Sequence, residues 1–285
     1  MDVLRTAHHL PAIAQTVIGL CVWLLVLAVV FIPLERLFAV RRHAVVRAGF
    51  LADLGYFFLS GLVPGAVLSL PIAALAWGAH RLLPDRWTAM VAHWPLGMRV
   101  VAALVVTEIG LYWGHRWSHE IPLLWRFHVI HHSPTRLDWL VNTRAHPVDF
   151  VFTRFCGLVP LYALGFANPL GAQPSLVPLL VLVPGVAWGF FIHANLRWRF
   201  GPLEWLVATP AFHLWHHTND GPDCIDKNYA PMLPWVDWLF GTFHLPKDRH
   251  PVRYGTDTPV PAGFVGQLLE PFAVGPREPA PAPPR

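Results

Sequence analysis

Residues 96–132 read LGMRVVAALVVTEIGLYWGHRWSHEIPLLWRFHVIHH. From Leu96 to about Gly114 the segment is apolar, with Arg99 near one end and Glu108 inside it. A run of this kind approaches the length that crosses a hydrocarbon core roughly 30 Å thick. The chain then changes character at once, giving His115, His119, His128, His131 and His132 in quick succession. An apolar helix that empties into five imidazoles puts metal-binding chemistry at a membrane surface.

The rest of the chain agrees with that reading. Of its 285 residues, 54% are hydrophobic and 13% charged, against about 25% charged in soluble domains. Four more apolar stretches are visible, at 11–34, about 54–79, about 148–166 and 175–191. The first carries no charge, is longer than a signal-peptide core and lacks a small-residue cleavage site, so it reads as a retained transmembrane helix. The second contains Pro64 and Pro71 and reads either as one kinked span or as a re-entrant pair. Arg36, Arg41, Arg42 and Arg47 directly follow the first run, which assigns that end to the cytoplasm by the positive-inside rule. With five crossings and an external N-terminus, every histidine from His115 to His217 falls on the cytoplasmic side.

The expected fold is therefore an all-α integral membrane protein with four to five transmembrane helices and a cytosol-facing, helical, histidine-rich metal site. The sequence divides into an N-terminal transmembrane region over 1–98, a histidine-rich unit over 99–245, and a C-terminal extension over 246–285. The extension ends in the Pro-rich stretch GPREPAPAPPR, which is expected to be a disordered tail. Net charge is +4, with arginines clustered beside apolar runs. That pattern fits topology and headgroup contacts rather than nucleic-acid binding. Cys21, Cys156 and Cys224 are far apart and form no C-x-x-C pair, which excludes a disulfide framework or an iron–sulfur cluster.

Ten of the 17 histidines lie between His115 and His217. They fall mainly into three motifs: His115-Arg-Trp-Ser-His119, His128-Val-Ile-His131-His132 and His213-Leu-Trp-His216-His217. Spacings of three and four put imidazoles on one helical stripe, where they can chelate an ion with little distortion. His193, at the inner end of the last apolar run, makes a ninth candidate. Nine imidazoles exceed what a single ion uses, since a structural zinc takes four ligands, so two ions are expected. Neutral imidazole suits Zn, Cu, Fe and Ni and does not by itself name the metal. His146 is a candidate tenth ligand or outer partner. Asp149, Asn195 and Asp226 are candidates to orient ligand rings from outside. No catalytic side chain beyond the metal centre is indicated. Glu108, inside an apolar run, is a further functional candidate, with Arg99 as a partner for it.

The three boxes on a membrane background resemble the fatty acid hydroxylase/sterol desaturase superfamily. The likeness extends to Asn142-Thr143-Arg144 with His146-Pro147, to Asn195-Leu196 and Phe200-Gly201-Pro202-Leu203-Glu204, to Lys227-Asn228-Tyr229, and to Asp237 with Leu239-Phe240-Gly241-Thr242. It covers roughly Arg99 to Phe243. The resemblance implies a cytosol-facing di-metal centre, usually di-iron, that uses O₂ to hydroxylate or desaturate lipids. Its ligands here would be His115, His119, His128, His131, His132, His193, His213, His216 and His217.

Unactivated C–H bonds resist proton-transfer chemistry, so a redox metal and O₂ must supply the oxidising power. The expected cofactor is two iron ions, with zinc able to occupy the same ligands. Electrons must come from an external partner, a ferredoxin, cytochrome or reductase, because the chain carries no redox motif. Arg126, Arg136, Arg197 and Arg199 would face such a donor or bind anionic headgroups. Two other readings use the same histidines. A zinc hydrolase would want a carboxylate base beside its ligands, and none of the boxes contains one. A metal transporter or sensor would favour ligands within the crossings rather than at helix ends.

Overall fold

The computed structural model describes residues 11–167 and 176–273. The turn expected near 167–174 lies mostly outside these residues, and the Pro-rich tail lies wholly outside them. Among the described residues the secondary structure is entirely helical, with two isolated backbone bridges, Ala39 with Leu196 and Thr218 with Tyr254. The main helices are α1 (Ala12–Phe38), α2 (Phe50–Leu82), α3 (Asp85–His93), α4 (Leu96–Glu120) and α5 (Pro122–His132). They continue with α6 (Pro147–Ala163), α7 (Val177–His193), α8 (Pro210–His216), α9 (Trp235–Leu239) and α10 (Phe264–Leu269).

Three helices, α1, α2 and α4, are long and apolar enough to cross a membrane. At 1.5 Å per residue, the 27 residues of α1 extend about 40 Å. Only 11%, 6% and 22% of the apolar windows of α1, α2 and α4 are buried inside the protein. Val22, Leu25 and Val29 of α1, Leu70 and Trp77 of α2 and Val101 of α4 point outward. Such a surface is tolerable in lipid and costly in water. The two further apolar runs form α6 and α7, of 17 residues each, at the short end of what spans a bilayer. The first turn of α6 carries Asp149. α2 runs unbroken past positions 64 and 71, one continuous helix rather than a re-entrant pair.

Glycine spacing draws α4 against α6. Gly110 and Gly114 are one turn apart, and a Cβ at Gly110 would collide with the Cys156 carbonyl. Small residues at i and i+4 let membrane helices approach backbone to backbone. That approach brings Asp149, at the start of α6, beside Ser118 near the end of α4. Ala103, Leu161, Val177 and Val181 fill the space between α4, α6 and α7.

A buried ionic network fastens the N-terminal helices to the rest. Arg47 pairs with Asp138 (2.6 Å) and Asp53 (2.7 Å), and Arg144 pairs with Asp53. Asp138 also accepts from the Leu140 amide, starting a 3₁₀ turn over Trp139–Thr143. Charges this far from water hold their places only when each is met by several partners. Glu35 of α1 accepts from the amides of Trp139 and Asn195, both at 2.9 Å. Residues 246–273 return to the helices: Phe264 packs on Tyr56 at 4.9 Å and Phe272 on Phe127 at 5.5 Å between ring centroids.

Candidate metal centre

Four helix ends converge on one place. α4 supplies His115 and His119, α5 supplies His128, His131 and His132, and α7 ends at His193. α8 supplies His213 and His216, with His217 capping it. The last of these helices is set by Thr209, whose hydroxyl accepts from the Phe212 amide, followed by Pro210 at the first helical position. Each residue does there what its chemistry favours.

The nine imidazoles fall into two groups able to hold a metal ion: His115, His119, His128, His132 and His216, and His131, His193, His213 and His217. Within each group the candidate ligand atoms lie within 4.8 Å of one another. The groups adjoin, since His132 stacks on His217 with ring centroids 4.5 Å apart. The sequence reading placed each box on one stripe. The structure splits the stripe: the i, i+4 pair serves one group and the i+3 ring turns to the other. His128 and His132 join the first group while His131 joins the second, and on α8 the assignment reverses.

Six rings are held at Nδ1 by an acceptor. His115 donates to the Tyr229 carbonyl (2.7 Å), His131 to Arg144 (3.0 Å), His193 to Gly189 (2.7 Å) and His216 to Lys227 (2.8 Å). His119 donates to Asp226 and His128 to Asp149, each at 3.0 Å. Because carbonyls and carboxylates only accept, these contacts fix the proton on Nδ1 and leave a lone pair on Nε2. Three of those Nε2 atoms, in His119, His128 and His216, are buried with no hydrogen-bond partner, as is Nε2 of His132.

The second group gives the sharper test. Nε2 of His193 lies 3.2 Å from Nε2 of His131, yet both nitrogens carry lone pairs by the argument just made. His213 Nε2 stands 3.0 Å from His193 Nε2 and 3.2 Å from His217 Nε2. Acceptors do not face one another at that distance without a cation between them. Nitrogens bound at about 2.0–2.1 Å around a four-coordinate ion are separated by about 3.3 Å. The donor set therefore fits a metal.

Electrostatics keep the set ready. Burial pushes His131, His132, His213, His216 and His217 well below the ordinary histidine range, and neighbouring imidazoles push them further. These rings are neutral at physiological pH, the form that coordinates.

Other expected residues behave differently. Asp149 and Asp226 meet rings of the first group, as outer acceptors. His146 joins neither group: its Nδ1 accepts from the Val148 amide to cap α6, and its Nε2 lies 3.2 Å from the Leu268 carbonyl. Asn195 touches Arg41 and His43 instead of a grouped ring. Glu108 accepts from the amides of Met232 and Leu233 rather than pairing with Arg99. Of the four arginines expected to face a donor, Arg199 is spent on Glu204 and Arg126 on the Ala273 carbonyl.

The carbonyls of Tyr229, Lys227, Arg144 and Gly189 were invisible to sequence reasoning, since any residue supplies a carbonyl. The signal lay in what shapes the loop. Asp226 and Asn228 adopt φ of 56° and 60°, a region these side chains tolerate better than most. Asn228 ties the loop to Phe212 and His244, and Asp237 accepts from the amides of Tyr229 and Ala230. Burial lifts the Asp237 carboxyl to about 6.

Residues 100–242, half of the chain, match the fatty acid hydroxylase family. The chain belongs to the fatty acid hydroxylase family. The matched stretch holds all nine grouped histidines of this family member. The chain is 37% identical over 211 residues to ornithine lipid hydroxylase OlsE of Rhizobium tropici, covering 74% of this chain and 59% of that one. It is 31% identical over 198 residues to alkylglycerol monooxygenase of Xenopus tropicalis, covering 70% and 39%. To very-long-chain aldehyde decarbonylase GL1-11 of Oryza sativa subsp. indica it is 28% identical over 183 residues, covering 61% and 64%. The chain thus spans about two fifths to two thirds of the length of these relatives. No solved structure matches it.

Proposed function

We propose that this protein is an O₂-dependent membrane oxygenase that hydroxylates or desaturates a C–H bond of a lipid. The observation that carries the reading is two adjoining groups of neutral, converging imidazoles set beside an apolar cavity. That cavity, of about 190 Å³, lies between α4, α6 and α7 and is lined by His115, His128, His131, His193 and His213 together with Leu104, Val181 and Val186.

Two iron ions, held by His115, His119, His128, His132 and His216 and by His131, His193, His213 and His217, would supply the redox capacity that no side chain here has. The chain's own part is orientation and exclusion. Asp149 and the backbone acceptors hold the rings at fixed angles, α4 and α6 close one wall, and apolar side chains keep water from the cavity while admitting part of a lipid. The relatives named as hydroxylase and monooxygenase support an oxidative reading. So does the absence of any carboxylate from either group among the described residues. A zinc hydrolase would want a free base beside its ligands, and the two carboxylates that adjoin them, Asp149 and Asp226, each accept from a ring. Electrons would come from a separate ferredoxin, cytochrome or reductase at the cytoplasmic face.

The experiment is to purify the protein anaerobically, measure its metal, and supply O₂, a reductant system and a membrane lipid extract. The expected result is close to two iron ions per chain and an oxidised lipid, with activity lost in His131→Ala and His216→Ala. Zinc alone with hydrolytic turnover, or full activity in both variants, would overturn the proposal.

A further inference from the structure

The cavity that reaches the imidazoles contains a cation without a counter-charge. Arg154 sits in the middle of α6, half-buried among apolar helices, and lines this cavity with the candidate ligands. Among the described residues it makes no ion pair and no hydrogen bond. Its guanidinium lies over the Phe150 ring, 5.1 Å from the centroid. A guanidinium is costly in such surroundings and is ordinarily met by an anion.

The carboxylates of the cavity are not available to it. Glu108 is engaged by two backbone amides, and Asp149 by His128 and Ser118. What the cavity does offer is more donors. The Thr107 hydroxyl is buried with no partner, the residue being 3% exposed, and the Asn142 amide lines the same wall. A guanidinium, a free hydroxyl and an amide in one apolar pocket match a carboxylate or a phosphate oxygen. Arg154 lies five residues beyond Asp149, about 7.5 Å along the helix, so the site is a turn and a half from the first group of histidines.

We propose that Arg154, with Thr107 and Asn142, binds the anionic headgroup of the lipid substrate and selects for lipids that carry one. This rests on the oxygenase reading for the word substrate, but not for the binding itself. The occupant is a carboxylate or phosphate attached to an acyl chain, since the remaining walls are aliphatic and a free anion would leave them uncovered.

The test is equilibrium binding to the purified, metal-loaded protein in a neutral detergent, without a reductant, so that no turnover is needed. Oleate is compared with methyl oleate, and dioleoyl phosphatidic acid with dioleoylglycerol, each pair differing in charge. Wild type should favour the charged member about tenfold or more, as a charge-assisted hydrogen bond in an apolar site implies. Arg154→Gln should bring the ratio close to one with metal content unchanged, and Arg154→Lys should keep most of the preference. A wild type indifferent to charge overturns the proposal, whatever happens to the variants. So does a preference that survives in Arg154→Gln. If inorganic phosphate displaces the ligand as well as phosphatidic acid does, the site serves a free anion and the headgroup assignment falls. A protein that oxidised no lipid could still pass this test, and one that failed it could still be an oxygenase.

Discussion

Two aspartates hold two rings of the first histidine group at the same distance, and they should differ sharply when removed. Asp149 accepts from His128 and Asp226 from His119, both at 3.0 Å, but their side chains are 5% and 59% exposed. In Asp149→Ala the His128 Nδ1–H loses its partner in a place water does not reach. A buried donor left unpaired costs about 1–3 kcal/mol, roughly fivefold to a hundredfold in the affinity of the group for a metal, in line with what outer partners of metal-bound histidines contribute. In Asp226→Ala water takes over the acceptor's place. Exposed pairs are worth no more than about 1 kcal/mol, so the loss should be under about fivefold. The assay is metal retention during titration with a chelator. Asp149→Asn serves as the control, because its amide oxygen still accepts from His128. Equal losses in Asp149→Ala and Asp226→Ala, or no rescue by asparagine, would refute the claim that burial decides the strength of these contacts.

Other outcomes follow from the same structure. For the depressed histidines the folded pKa lies below the unfolded value of about 6.5, so protons favour the unfolded chain. The metal-stripped protein should therefore be most stable above that pH and melt at falling temperature as pH drops from 7 to 5; a flat profile would contradict neutral burial of His131, His132, His213, His216 and His217. Gly110→Ala, which drives a methyl into the Cys156 carbonyl, should destabilise the detergent-solubilised protein by about 1–3 kcal/mol, whereas Gly97→Ala, with open space around it, should be near neutral in a thermal melt. The double variant His131→Ala/His217→Ala removes half of the second group and spares the first. Metal analysis should find about half the wild-type content, and complete loss would mean the two groups do not load separately.

Much of the site was legible because side-chain identity carries it. All nine grouped histidines stand in three spaced motifs and at one helix end, and periodicity alone puts them near one another. Span length was legible for α1, the most apolar of the three long helices. It was less so for α6, since apolar composition does not reveal that Asp149 is drawn inward to a histidine. His146 and Asn195 are spent elsewhere, His146 as a local cap on α6 and Asn195 as a clasp on the backbone of Arg41, 154 residues away in the chain. Arg154 is a charge inside an apolar run, as Glu108 is, but its use shows only once the cavity that it lines is known.

The division of the rings explains why the histidine boxes have the form they do. On an α-helix, residues at i and i+4 are displaced by about 40° and residues at i and i+3 by about 60° to the other side, given 3.6 residues per turn. A box with histidines at i, i+3 and i+4 thus presents rings on both flanks of one stripe. When two such helices meet, each can feed both of two adjoining sites. α5 gives two rings to the first group and one to the second, and α8 does the reverse. α4 then completes the first group with His115 and His119, and α7 the second with His193. A single site would need only the i, i+4 pair from each helix, and the extra histidine would be a buried polar ring without a purpose. His131 and His216 are those extra rings. Both are buried, and both are fixed at Nδ1 by a carbonyl. Their placement is what favours two ions over one in the function proposed above.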